Sequence, residues 1–255
     1  MSSETQNING SELCLAVETS SRIGSIAVGV GDEIVDEREF SAGFRHGVEM
    51  LPVIEALLRD HNLQRSDIEQ VFISAGPGSF TGLRVAFTFA RVIGQILHSR
   101  VVPVPSCRVI AENLVPQLKT QHDRVSVAAV LDAKRQQIYA AGFGWDGRQL
   151  EKALDEQAMY PTDLLARLPR PLWLVGEGID YHRPYLQAEG VLITDKELWR
   201  PRASIVLKLG RQLTGAGVAT DYSGLVPTYI RLPEAEERWQ SGLLGGMKRP
   251  DEKHA

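Results

Sequence analysis

Cysteine is scarce in this chain. Cys14 and Cys107 are the only two in 255 residues, too few for a disulfide framework, so a reducing compartment is the natural setting. Charge of one sign is missing as well. With 28 Lys plus Arg against 32 Asp plus Glu, the formal net charge is -4, and no global basic field draws the protein to nucleic acid or an anionic membrane. The opening MSSETQNINGSE is polar, with neither the basic start nor the apolar run of a signal peptide, and no later apolar stretch reads as long and uninterrupted enough to span a bilayer. A cytoplasmic location is therefore expected. The six histidines, His46, His61, His98, His122, His182 and His254, are scattered with no pair at metal-ligand spacing on a helix face, so neither a metal nor another cofactor is expected.

What the chain does have is 43% hydrophobic residues, enough to fill the core of one or two domains, and an ordered series of elements. Leu13 to Glu18, Gly24 to Val30 and Glu33 to Phe40 read as three strands, the last two joined by the turn residues Gly31 and Asp32. A helix from about Val48, a strand at Val71, a helix from Leu83 and a strand at Val101 to Pro105 follow. A similar series restarts at Val125 with VSVAAVLD, QQIYAAGF and a third strand near Gln149 to Leu154. A helix at Asp163 to Leu168, the strand LWLVGEG and a helix near Ala203 to Leu213 complete it. Two βββαβα-type units, each with an acidic residue (Glu18, Asp132) closing its first strand, predict an α/β protein made by duplication. The expected divisions are a disordered extension at 1–12, an N-terminal lobe at 13–114, a C-terminal lobe at 115–232 and a flexible tail at 233–255.

The most distinctive stretch is VFISAGPGSFTGLRVAFTFARVIGQIL, Val71 to Leu97: a strand, a glycine-rich turn and a helix with hardly any polar side. Gly76, Gly78 and Gly82 free the backbone, Ser79 or Thr81 can cap the helix, and exposed amides at a helix start attract anions. The loop has no Lys followed by Ser or Thr, as a Walker A loop requires, and its spacing is not the dinucleotide fingerprint. Both a residual phosphate-type loop and a plain close-packed connection fit these residues. Glu18, beside Thr19 and Ser20, has the same two readings: a carboxylate that orients a metal-bound phosphate or water, or one that hydrogen-bonds its own turn.

The helix from Leu83 carries apolar residues around its whole circumference, which predicts either a central core position or a surface shared with a second chain. The segment Gly43 to Leu63 has the same character. Pro52 would clash with the carbonyl of Val48 deep inside a helix, so that helix is expected to start near Val48 or bend there. Two such helices in one half of the chain suggest an exposed apolar surface and hence a partner.

Taken together, LAVETSSRIGSIAVG, His46, AGPGSFTGLRVAFTFARVIG, PVPSC, AAVLDAKRQQIYAAGF, LVGEGI and the late PTYIR resemble the TsaB (YeaZ) family, from Leu13 to about Arg231. Glu18 stands where relatives more often carry Asp. The resemblance implies a two-lobed actin-like, Hsp70-like fold of the ASKHA, ribonuclease H-like class. It also implies a dimerisation subunit in the formation of threonylcarbamoyladenosine (t6A) at position 37 of tRNAs that read codons beginning with A. The implied partners are a TsaD-like catalytic paralogue and a TsaE-like ATPase, with tRNA contact indirect or weak and self-association when the paralogue is absent.

On that resemblance the partner face comprises His46, Met50, Leu51, Ile54, Leu57 and Leu58 on one helix and Leu83, Arg84, Phe87, Ala90, Arg91 and Gly94 on the other. The residual loop is Gly76, Gly78, Ser79, Thr81 and Gly82. In the catalytic paralogue, two histidines four residues apart hold a metal after the strand that follows the loop helix. Alignment on VVPVPSCRVI puts Ser106 and Ile110 there, neither a useful ligand, so no catalytic residue is assigned. The alternative is a nucleotide-dependent or metal-dependent enzyme of the same superfamily, phosphotransferase or metallopeptidase-like.

Overall fold

Strand-forming runs separated by turn residues fold into two five-stranded sheets in the computed structural model, which describes residues 12–40, 46–121, 123–218, 222–228 and 230. The tail expected at 233–255, and the N-terminal extension apart from Glu12, lie outside the described residues. The first series comprises β1 (Leu13–Glu18), β2 (Gly24–Val30), β3 (Glu33–Phe40), α1 (His46–Asp60), β4 (Ile68–Ser74), α2 (Phe80–Leu97), β5 (Arg100–Val104), α3 (Ser106–Glu112) and a short α4 (Val115–Leu118). The second comprises β6 (Ser126–Asp132), β7 (Ile138–Trp145), β8 (Leu150–Met159), α5 (Pro161–Arg167), β9 (Leu172–Val175), α6 (Gly178–His182), β10 (Val191–Ile193) and α7 (Ala203–Gly215). The helix α6 and the three-residue strand β10 extend the second series beyond its expected βββαβα, so both units read βββαβαβα apart from the extra α4.

The two sheets have matching orders, β3-β2-β1-β4-β5 and β8-β7-β6-β9-β10. In each, the first strand is central, antiparallel to the second and parallel to the fourth: Glu18 lies opposite Ser25 and Asp132 opposite Ile138. Every residue of β1 is buried, which explains why its sequence runs apolar without alternation. Its odd-numbered side chains, Leu13, Leu15 and Val17, face α1 and α2 together with Ile54, Leu57, Ala86 and Phe87. Its even-numbered ones, Cys14 and Ala16, face α7 together with Val206, Leu207 and Leu209. This is the duplicated actin-like, ribonuclease H-like fold expected from the sequence.

The helix that ends each series lies on the sheet of the other. From the second series, α7 covers the first sheet; from the first, α3 inserts Cys107, Ile110 and Ala111 into the core of the second beside Val127, Ala129 and Ile138. The two exchanges are anchored alike. The backbone N–H and hydroxyl of Ser204, second residue of α7, donate to the Glu37 carboxylate on β3 at 3.1 and 2.7 Å. The backbone N–H of Cys107, second residue of α3, donates to Glu156 on β8 at 3.1 Å. Each carboxylate thus satisfies amides that a helix start leaves unpaired.

Two expectations about the helices change. The first helix begins at His46 rather than Val48 and carries Pro52 within it. Val48 and Pro52 both lie on the exposed side, where the Val48 carbonyl, deprived of an N–H at residue 52, is not sealed into the core. The helix α2, at 18 residues and mean hydropathy 1.2, does reach the length and composition of a membrane span, contrary to the sequence expectation. One side of it, with Ala86, Phe87, Phe89 and Ala90, packs in the interior of the first layer.

The seat of α7 on the first sheet is closest at Gly210, where a side-chain carbon would overlap the ring of Phe72 on β4. Gly210→Val should therefore destabilise the protein by roughly 1–3 kcal/mol through overpacking. Urea unfolding measures this; a variant as stable as the parent would mean that α7 is not seated there.

Candidate functional site

The glycine-rich loop joins β4 to α2 directly against the turn that follows β1. Ser79 is the cap, its side chain accepting from the Gly82 amide at 3.2 Å, while Thr81 is exposed. The other loop amides with partners also turn inward: Gly76 donates to the Ser106 hydroxyl at 3.1 Å and Ser79 to the Ser20 carbonyl at 2.7 Å. A carbon added at Gly78 or Gly82 would run into the backbone carbonyls of Ser20 or Thr19. The glycines at 78 and 82 thus serve close approach of the Thr19–Ser20 turn.

Glu18 belongs to the same knot. It is fully buried, and its Oε1 accepts from the Ser20 amide at 2.5 Å and the Ser20 hydroxyl at 2.6 Å. Burial pushes its carboxyl above the ordinary glutamate value, against the lowering effect of hydrogen bonds from Ser20 and Ser74. Of its two sequence readings, the structure supports the carboxyl that hydrogen-bonds its own turn. Ser106 and Ile110, at the positions aligned with metal ligands, are both buried, the first bonded to Gly76 and the second in the core. Among the described residues, no three His, Cys, Asp or Glu side chains gather as a metal site.

On the far side of α2 lies an apolar groove of about 550 Å³, walled by Leu51 of α1 and by Phe80, Arg84, Val85, Val92 and Ile93 of α2. Its origin is periodicity. The small residues Gly82, Ala86, Ala90 and Gly94, four apart, form the buried side of α2, with Gly82 against the Thr19 turn and Gly94 between Val101 of β5 and Tyr222. The row about half a turn away, Phe80, Arg84, Thr88, Val92 and Ile96, is exposed, with Val92 at 45% and Ile96 at 66%. On α1, Val48 at 74% and Leu51 at 51% extend the same surface. Arg84 lies over the Phe80 ring at 4.8 Å, a cation resting on an otherwise apolar wall.

The expected partner residues divide on this pattern. Leu51 and Arg84 are on the open face. His46 opens α1, and its side chain lies outside what the structure describes. Met50 touches the groove from beneath but is buried, as are Ile54, Leu57, Leu58, Leu83, Phe87, Ala90 and Gly94; these belong to the protein's own interior and are not available to a partner. Arg91 donates to the Leu225 carbonyl at 2.5 Å, holding the segment 222–228 along α2, where Tyr222 covers Gly94. The open face also includes Val48, Phe80, Val92 and Ile96, which the expected set leaves out. The four-residue spacing of 80, 84, 88, 92 and 96, opposite the small-residue row, was the signal for the α2 members.

Because folding raises the Glu18 pKa, its ionisation opposes the folded state as pH climbs from the ordinary value of 4.5 through the raised one. Glu18→Gln is therefore expected to gain thermal stability relative to the parent across that window and hold the gain above it, with no ionisation-linked difference below pH 4.5. Melting temperatures over a pH series check this; a parallel pair of curves would refute it.

The profile of the family described as TsaD, tRNA N6-adenosine threonylcarbamoyltransferase, matches residues 41–239. The chain is 28% identical over 232 residues to the tRNA threonylcarbamoyladenosine biosynthesis protein TsaB of Bacillus subtilis (strain 168), covering 88% of this chain and 96% of that protein. It is 22% identical over 223 residues to the protein of the same name from Escherichia coli (strain K12), covering 85% and 94%. Among solved structures, YeaZ from Pseudomonas aeruginosa superposes with a TM-score of 0.71 at 22% identity, covering 86% of this chain and 99% of that one. An uncharacterized Pseudomonas aeruginosa protein with similarity to peptidase YEAZ gives 0.72 at 21%, covering 86% and 100%.

Proposed function

Because the chain belongs to the tRNA N6-adenosine threonylcarbamoyltransferase family, in its TsaB (YeaZ) branch, we propose that it acts in t6A biosynthesis as a noncatalytic docking subunit. It binds and supports a TsaD-like threonylcarbamoyltransferase that modifies position 37 of tRNAs reading ANN codons. The observation that carries this reading is the open apolar face of α1 and α2: two helices whose inner sides are already committed to the protein's own core keep Val48, Leu51, Val92 and Ile96 in solvent. A contiguous apolar surface of this kind marks a protein interface. A related paralogue with equivalent helices would complete an intermolecular bundle with it, and a second copy of this chain would cover the same face in the paralogue's absence.

The noncatalytic part of the proposal rests on the loop. Its partnered amides are spent on Ser20, Ser79 and Ser106, the Glu18 carboxyl is tied into its own turn, and an isoleucine stands at one aligned metal-ligand position. A TsaE-like ATPase completes the assembly, in the cytoplasm, and the net charge of -4 agrees with tRNA being held chiefly by other subunits.

Leu51→Glu and Val92→Glu place a carboxylate on the exposed face without entering the core. Each should fold normally and bind the TsaD-like paralogue about 30-fold more weakly, as loss of a central apolar contact does. Calorimetry with the purified paralogue reads this out, and wild-type affinity in both variants would remove the docking face from α1 and α2. Threonylcarbamoyl transfer to tRNA should require the paralogue; turnover by the isolated chain would overturn the noncatalytic role.

A further inference from the structure

A second cavity, of about 470 Å³, shares no residue with the groove on α2. It opens where the exchanged helices pass the edges of both sheets. Val104, Phe143, Leu209 and Leu213 supply apolar walls, and Glu156, Gln212 and Thr228 supply polar ones. Its volume falls within the roughly 300–1,000 Å³ of small-molecule sites, and a mostly apolar lining with a few convergent polar groups is their usual composition.

The placement of its carboxylate is built into the sheet. Ala140 pairs with Gln157 and Gly142 with Leu154, so Ala141 alone faces both Asp155 and Glu156; a second register shift follows at Phe143 and Lys152. A bulge of this kind breaks the alternation of a strand and lets adjacent residues reach one side. Here it brings Asp155 and Glu156 together to the cavity wall.

The two cations that line the cavity are already paired. Lys152 is paired with Asp155 at 2.9 Å. Arg108 is held by Glu112 at 3.1 Å and by the Leu150 carbonyl, with its guanidinium over the Phe143 ring at 5.5 Å. Among the described residues, the Glu156 carboxylate has no salt bridge and takes its hydrogen bonds from Cys107 alone, from the amide at the head of α3 and from the thiol, which burial and the Glu156 charge hold protonated. Burial also raises the Glu156 carboxyl, against the lowering hydrogen bonds from Cys107, as happens to a carboxylate short of a countercharge.

We propose that this cavity binds a small organic cation, an amine carried on an apolar or aromatic body, with the ammonium on Glu156 and the body between Phe143 and the Leu209–Leu213 side of α7. The Gln212 amide and Thr228 hydroxyl offer further hydrogen bonds at the rim.

Tryptamine and its neutral isostere tryptophol, titrated against the full chain by calorimetry, test the proposal. Tryptamine should bind saturably, and tryptophol about tenfold more weakly for want of the charge-assisted contact. Glu156→Gln retains an acceptor for the Cys107 amide and should reduce tryptamine to the tryptophol level while leaving tryptophol unchanged. Gln212→Trp, on the exposed side of α7, should close the cavity to both. Equal binding of the two probes, tryptamine binding indifferent to Glu156→Gln or Gln212→Trp, or no saturable binding at millimolar tryptamine would overturn it. Should Glu156→Gln fail to fold, the probe comparison and Gln212→Trp decide alone.

Discussion

The exchange of α3 and α7 between the two sheets is the constraint on which the rest of the structure depends. A sheet whose central strand is apolar on both sides needs two covers, and on the first sheet α1 and α2 supply only one. The other comes from the opposite end of the chain, with Gly210 against Phe72 and Ser204 held by Glu37. The mirror contact, Cys107 held by Glu156, places α3 on the second sheet. Neither sheet is complete without a helix from the other repeat, so the two lobes depend on each other for their cores. With the inner side of the first sheet closed in this way, the outer faces of α1 and α2 are left uncommitted.

Duplication gave both lobes an acidic residue at the end of the first strand, and packing has since separated their chemistry. Glu18 is enclosed by the glycine loop and held by donors too few to offset its burial. For Asp132, burial is outweighed by Lys134, whose side chain and amide both donate to it, and by His182 at 3.2 Å, and its carboxyl lies below the ordinary range. The same backbone position therefore carries a carboxyl whose pKa burial raises in one lobe and one whose pKa its partners lower in the other.

Much of this architecture was legible in the sequence. The limits of β1, β2 and β3 follow directly from apolar runs and from the turn at Gly31 and Asp32. The repeat showed through the two strand ends at Glu18 and Asp132. The strand β10 did not, because three half-exposed residues give no run to read. The open apolar face was legible only in outline: an apolar circumference on α2 does not say which side is covered by the protein itself. That distinction was carried by residue size, since Gly82, Ala86, Ala90 and Gly94 mark the side that is buried. The destination of α7 depended on contacts with β1, β4 and β5, all of them before residue 105, which no local pattern encodes.

Pro52 has a consequence for what the open face will accept. Its missing N–H deprives the Val48 carbonyl of the usual helical donor four residues on, and Val48 is exposed on an otherwise oily surface. In solvent, water satisfies that oxygen. Any protein that covers it must offer a donor or trap a water there, because a stranded buried acceptor costs on the order of 1–3 kcal/mol. A smooth hydrocarbon face of the right shape would therefore be rejected, while a helix with one well-placed hydroxyl or amide would be held in a single register. One imino acid thus gives an apolar surface, which by itself discriminates poorly, a means of choosing among its binders.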